Sequence, residues 1–141
     1  MGDLKLTYQV DGGDLVQAGE ASSQMKMTLK LGLPPEIIRK ASVCMYEGEI
    51  NMVIHADGGR VEVEVGMDAI TIRLIDQGPG IPDVDRAMEE GYSTAGDVAR
   101  DLGFGAGMGL PNMKRYSDEM RIDTTVGVGT TVTMRIDINN G

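Results

Sequence analysis

The sequence predicts an α+β fold, a two-layer sandwich in which a mixed, mostly antiparallel sheet is covered on one face by helices. Three observations carry this expectation. Stretches that alternate apolar and polar side chains come in neighbouring pairs joined by glycine turns. Two longer apolar-rich stretches sit together near the start instead of between successive strands. The resulting order is strand, helix, helix, strand, strand, short helix, loop, helix, strand, strand, and strands joined by tight turns pair antiparallel while the helices collect on one face. With 141 residues and 41% hydrophobic content, the chain suits a single domain over 1–141 that can bury a core.

Each element has its own justification. Leu4, Leu6, Tyr8 and Val10 alternate over residues 4–10, a strand that ends at Asp11-Gly12-Gly13-Asp14. A helix is expected over 15–31, with Gly32 as its stop. Pro34-Pro35 opens a second helix running to about Ala56, because proline's fixed φ and missing N–H are tolerated in a first helical turn. Ile37, Ile38, Ala41, Val43, Met45, Ile50, Val53 and Ile54 make that helix apolar on most sides, which implies burial. Gly48 inside it costs about 1 kcal/mol relative to alanine, and so marks close packing or close approach of a ligand. Asp57-Gly58-Gly59 turns the chain into strands 60–65 and 70–76, a predicted hairpin. Residues 82–90 are expected to form a short helix, 91–107 a long loop and 108–118 a further helix. The last strands, 120–126 and 130–138, are joined at Gly127-Val128-Gly129.

Side-chain parity then points to function. Ile70, Ile72 and Leu74 share one face of their strand, and Asp76 continues that parity toward the helices. In the last strand Val132, Met134 and Ile136 share the inward face, and two residues earlier Thr130 joins it. A carboxylate at the end of an apolar stripe requires donors. The exocyclic amine of adenine, with Thr130 and a water, would supply them; alternatively Asp76 caps the adjoining turn or short helix. On the second helix Glu47 and Asn51 stand four residues apart on one face. Asn51 offers a neutral oxygen to Mg²⁺, and Glu47 a carboxylate that can take a proton from an attacking hydroxyl or water; taken alone, the spacing equally fits two surface residues that arise together by chance. Glu49 lies about 160° around the helix from Asn51 and is expected to face solvent. His55 continues the Glu47–Asn51 face and reads as a hydrogen-bonded structural histidine.

Two glycine clusters, Asp76-Gln77-Gly78-Pro79-Gly80-Ile81-Pro82 and Gly103-Phe104-Gly105-Ala106-Gly107-Met108-Gly109-Leu110, outline a phosphate site. Backbone N–H groups there approach an anion unobstructed, and the second cluster runs into a helix N-terminus. A net charge of −9 argues against nucleic acid or an anionic membrane as partner. It also means that a bound nucleotide needs local compensation, from glycine N–H groups and a metal ion. One cysteine excludes an internal disulfide framework. Eleven methionines and one phenylalanine suggest an adaptable core. With no signal-peptide pattern and no apolar run near the length of a membrane span, a cytoplasmic location is expected.

The ordered set Glu47-x-x-x-Asn51, Asp76-x-Gly78-x-Gly80, Gly105-x-Gly107-x-Gly109 and Gly129-Thr130-Thr131 resembles the superfamily of gyrase, heat-shock chaperone, histidine kinase and MutL ATP-binding domains, with its Bergerat fold. Within it, the run from Asp76 to Pro82 followed by Met88-Glu89-Glu90-Gly91-Tyr92-Ser93-Thr94 looks most like the small bacterial serine/threonine kinases of partner-switching systems. Gly105 stands where some anti-sigma kinases carry arginine, which resembles the switch-kinase branch. The resemblance implies ATP and Mg²⁺ as ligands, with Asn51 holding the metal against the phosphates. It gives Asp76 and Thr130 to adenine, and it has Gly78, Gly80, Ile81, Ser93 and Thr94 lining the nucleotide. Gly105, Gly107, Met108, Gly109 and Leu110 end a mobile lid, and Glu47 is the general base toward a serine or threonine. The implied partner is a small antagonist or scaffold protein bearing that residue, with a sigma factor or other effector downstream and the chain a monomer or homodimer. Two other readings share the fold: an ATP-responsive binding module without turnover, and a detached histidine-kinase catalytic domain. Ile54, where many histidine kinases have lysine, speaks against the last.

Overall fold

Valine and isoleucine at alternate positions build the centre of the sheet. Strands β1 (Leu4–Asp11), β2 (Gly58–Val65), β3 (Ala69–Asp76), β4 (Glu119–Thr125) and β5 (Gly129–Asp137) lie in the order β1-β2-β3-β5-β4. The computed structural model describes residues 4–11, 19–30, 32–56, 58–81, 84, 88 and 109–138; the side chains of Asp11, Ile54 and His55 are outside the description. The sheet, expected to be mixed and mostly antiparallel, has all four pairings among the described strands antiparallel. The expected hairpin is present, with Val65 opposite Ile70 and Arg60 opposite Ile75.

The two faces of the sheet separate by chemistry. Val61, Val63, Ile70, Ile72, Leu74, Val132, Met134 and Ile136 are buried together on the inner face. Charged side chains alternate with them, forming ion pairs such as Arg73–Glu64 at 3.7 Å and Arg135–Glu119 at 2.8 Å. Such exposed pairs contribute about 0–1 kcal/mol each, so their weight lies in keeping that face wettable rather than in stability. Only the inner face is left for helices to cover.

Three helices occur among the described residues: α1 (Glu20–Leu29), α2 (Pro35–His55) and α3 (Gly109–Tyr116). Helix α2 carries Ile37, Ile38, Ala41, Cys44, Met45, Met52 and Val53 into the core. Gly48 has a packing role: a Cβ there would collide with the side chain of Leu74, so its absence lets α2 settle on β3. Of the helix expected over 15–31, α1 covers Glu20–Leu29, and residues 15–18 and 31 lie outside the described residues. Gly19 holds φ at 98°, in the left-handed region, so the helix starts only after it. Of the predicted short helix 82–90, only Val84 and Met88 are described, joined by one helical-turn bond from the Met88 N–H to the Val84 carbonyl at 3.0 Å.

Glu49 overturns its expectation. It is 3% exposed, and its carboxylate accepts from the N–H groups of Gly19 (2.9 Å), Ala21 (3.2 Å) and Ser22 (3.0 Å) and from the Ser22 hydroxyl (2.7 Å). The first turn of a helix has N–H groups without intrahelical partners and carries positive partial charge. A carboxylate borrowed from α2 satisfies both needs, which is why α1 lacks a capping side chain of its own at Gly19. Glu49→Gln preserves volume but faces N–H donors with a group that is half donor. It is expected to destabilise the fold by about 1–3 kcal/mol in urea unfolding; an unchanged midpoint would show that the cap is dispensable.

Candidate functional site

The end of β3 and the start of β5 face each other, with Asp76 opposite Thr130. Parity placed both on the helix side of the sheet, and Thr130 is indeed 7% exposed at the end of the buried stripe Val132, Met134 and Ile136. The Asp76 Oδ1 atom accepts two backbone donors, the Gly78 N–H at 2.9 Å and the Thr130 N–H at 3.2 Å. Asp76 therefore closes its own turn and also grips the neighbouring strand through main chain, not through the Thr130 hydroxyl. That hydroxyl lies 2.8 Å from the Thr124 hydroxyl, whose oxygen also accepts the Ile81 N–H at 2.9 Å. Thr124 was not among the expected site residues. Counting back from the Gly127 turn would have found it, since Thr124 is opposite Thr130 in the hairpin.

The glycines after Asp76 are required by what they touch. A Cβ on Gly78 would sit 2.7 Å from Cα of Ala56, the C-cap of α2, so only glycine brings this turn against the helix end. Gly80 has φ 81°, and a Cβ there would meet the Thr125 carbonyl oxygen at 2.6 Å. The turn is also tied to the β4–β5 hairpin by a bond from the Gly127 N–H to the Pro79 carbonyl at 2.9 Å. Ile81 is half-buried and packs against the core.

One turn and a half back along α2 from Ala56 stands Asn51, about 7 Å away along the helix axis. Its amide group borders the start of α3, where a Cβ on Gly109 would lie 2.8 Å from Asn51 Nδ2 and 3.1 Å from Oδ1. Leu110, the next residue, is buried beneath α3. Glu47 lies one further turn back on the same face as Asn51 and is half-buried. Burial raises its carboxyl pKa above the ordinary value, while a hydrogen bond with the Asn112 side chain opposes that rise. A carboxylate made more basic in this way suits proton abstraction.

The C-terminal half of α2 thus runs between the Asp76–Gly78 turn and the N-terminus of α3, bringing Glu47, Asn51, Asp76, Gly78, Gly80, Ile81, Gly109, Leu110 and Thr130 along one edge of the fold. Ser93, Thr94, Gly105, Gly107 and Met108, with the rest of loop 91–107, lie outside the described residues. So does Arg100. No helix among the described residues is long and apolar enough to cross a membrane.

Comparison with known proteins points to one family. The model of the family described as "Histidine kinase-, DNA gyrase B-, and HSP90-like ATPase" matches residues 44–140. The chain is 31% identical over 123 residues to the serine/threonine-protein kinase RsbT of Bacillus subtilis, covering 84% of this chain and 85% of that protein. It is 32% identical over 108 residues to an anti-sigma F factor of Clostridium beijerinckii, covering 72% of each. A second anti-sigma F factor, from Caldanaerobacter subterraneus, is 33% identical over 104 residues, or 70% of this chain and 69% of its own length.

Proposed function

This chain belongs to the family of histidine kinase-, DNA gyrase B-, and HSP90-like ATPases, and we propose that within it the chain is an ATP-dependent protein serine/threonine kinase of a partner-switching system. The observation that carries the reading is the pairing of Glu47, half-buried and made more basic, with Asn51 on the face of α2 that meets α3. Relatives named as a serine/threonine kinase and as anti-sigma factors, matched over most of their length, support the same choice.

In this reading adenine sits at the β3–β5 end. Both recorded bonds to Asp76 fall on Oδ1, so Oδ2 serves as the acceptor for the exocyclic amine, while Thr130 and Thr124 hold that end of the site rigid. Gly78, Gly80 and Ile81 form the floor, and the phosphates extend along α2 toward Asn51 and the α3 N-terminus. Gly109 and Leu110 open α3 there, where the helix dipole favours negative charge. Gly105, Gly107 and Met108 add lid amides, and Ser93 and Thr94 line the nucleotide. Asn51 fits Mg²⁺ because this hard cation takes neutral oxygen ligands and completes its shell with phosphate oxygens and water. When bound, the metal would neutralise charge on the phosphates. Glu47 accepts the proton of the incoming serine or threonine hydroxyl as its oxygen bonds to the γ-phosphorus and ADP leaves. Phosphoryl transfer needs mainly positioning and neutralised charge, so this set is chemically sufficient.

The acceptor is a small antagonist or scaffold protein, and the effect of phosphorylation is to change which partner, such as a sigma factor, remains free. The test is to incubate the chain with radiolabelled MgATP and proteins that bind it, and to examine the phosphate formed. Acid-stable phosphoserine or phosphothreonine on the partner is expected. Acid-labile phosphate would indicate a histidine acceptor, and partner binding that responds to ATP with no transfer would indicate a switch without turnover.

A further inference from the structure

A single hydroxyl joins the segments that meet at the Asp76 end of the sheet. Thr124 on β4 stands opposite Thr130 on β5, which in turn stands opposite Asp76 on β3, and parity puts all of them on the inner face. The Thr124 Oγ1 atom accepts the Ile81 N–H at 2.9 Å. It also lies 2.8 Å from the Thr130 hydroxyl and 3.3 Å from the Gly129 carbonyl oxygen. The Pro79 carbonyl accepts the Gly127 N–H at 2.9 Å, a second tie between the same turn and the hairpin. Ile81 therefore delivers its N–H to Thr124 from a fixed direction.

The direction of each bond follows from counting protons. A threonine hydroxyl has one proton and two lone pairs, and a carbonyl oxygen only accepts. With the Ile81 N–H on one lone pair, the Thr124 proton goes either to Gly129 or to Thr130. Hydrogen bonds between oxygens fall at about 2.5–3.0 Å. The Thr130 contact at 2.8 Å lies inside that range and the Gly129 contact at 3.3 Å outside it, so the proton belongs to Thr130. Thr130 then accepts from Thr124 and keeps its own proton for another acceptor. At 7% exposure that donor is too buried to be satisfied by bulk water. Beside it, both recorded bonds to the Asp76 carboxylate fall on Oδ1, which leaves Oδ2 to accept. An acceptor and a donor thus stand next to each other at one end of the sheet. Adenine presents the matching edge, an amine beside the N1 lone pair, whereas guanine presents the reverse, a carbonyl oxygen beside an N1–H.

We infer that Thr124 is a positioning residue that sets base specificity: its proton obliges the Thr130 hydroxyl to donate into the base pocket, which rests on the reading of that pocket as the adenine site. Without the Thr124 hydroxyl, Thr130 can turn to accept as readily as to donate, and guanine is no longer mismatched there. Asn51 and Gly109, where the phosphates are placed, are not touched by the change. The β4–β5 hairpin accordingly does more than close the sheet, because a residue that need not meet the nucleotide decides which base the neighbouring threonine favours.

The test titrates the full chain calorimetrically with MgATP and MgGTP. The parent is compared with Thr124→Val, which matches threonine in shape but has no hydroxyl, with Thr124→Ser, which keeps one, with Thr130→Val, and with Thr124→Val combined with Thr130→Val. In Thr124→Val the preference for ATP over GTP is expected to fall about tenfold, and in Thr124→Ser to stay near the parent's. The double variant is expected to lose no more preference than Thr130→Val alone, since Thr124 acts through Thr130. In the nucleotide-free chain, hydrogen exchange at the Ile81 amide is expected to quicken in Thr124→Val and to stay near the parent rate in Thr124→Ser. Should Thr124→Val fail to fold, Thr124→Ala gives the same comparison. An unchanged preference in Thr124→Val, equal losses for ATP and GTP, additive losses in the double variant, or unchanged Ile81 exchange overturns the role of Thr124 while leaving the adenine site in place. A parent chain that does not distinguish ATP from GTP removes the adenine site itself, and the role of Thr124 with it.

Discussion

Glu47→Gln is expected to bind MgATP as tightly as the parent chain and to transfer phosphate about a hundredfold or more slowly, the usual loss when a positioned general base is removed. Glutamine matches the volume of glutamate and can still pair with Asn112 through its carbonyl oxygen, so the face between α2 and α3 keeps its packing. What it lacks is an oxygen able to hold the proton leaving the acceptor hydroxyl. The pH dependence has a definite sign. Burial raises the folded-state pKa of Glu47 above its ordinary carboxylate value. Transfer therefore falls away as pH drops through that raised value, at a higher pH than an exposed glutamate would give. For folding, a raised pKa contributes stability that is fully present below the unfolded-state value and is lost as pH rises through the folded-state value. At neutral pH the ionised Glu47 is thus a mild liability to the fold, as expected of a residue kept for chemistry. The variant is checked by calorimetric ATP binding beside a transfer assay; undiminished transfer removes Glu47 from the role of base.

Asp76→Asn is expected to weaken ATP binding by about 1–3 kcal/mol, or roughly five- to 150-fold, with a smaller effect on GTP. The Asp76 carboxylate accepts from the Gly78 and Thr130 N–H groups through one oxygen, and an asparagine carbonyl can replace that oxygen. Its amide nitrogen then occupies the second position and meets the adenine amine donor to donor. Because the internal bonds survive, the loss should appear in nucleotide affinity far more than in melting temperature. Equal ATP affinity, combined with a marked loss of stability, would show that Asp76 serves the turn alone.

The legible part of this site came from periodicity. Alternation along β3 and β5 brought Asp76 and Thr130 to the same side of the sheet without any knowledge of the helices, because a strand's parity is fixed by the backbone. The Glu47–Asn51 face was legible for a similar reason, as helical spacing alone decides which residues share it. Glu49 was misread because a helical wheel gives an angle and says nothing of what packs there. Its donors at Gly19, Ala21 and Ser22 are 27 to 30 residues away in sequence. Asn112 escaped notice because nothing local to α3 shows which of its faces meets α2. The start of α1 was placed too early because Gly19 resembles any tolerated helical glycine until its φ of 98° is seen.

The most direct measurement is a calorimetric titration of the purified chain with ATP and GTP, each with and without Mg²⁺. Binding that requires Mg²⁺ and prefers ATP is predicted by the proposal that Asp76 accepts from an amine that guanine does not present at that edge and that Asn51 holds the metal. No binding, or equal binding of GTP, would contradict the account and leave the Asp76–Gly80 turn as a structural device of the fold.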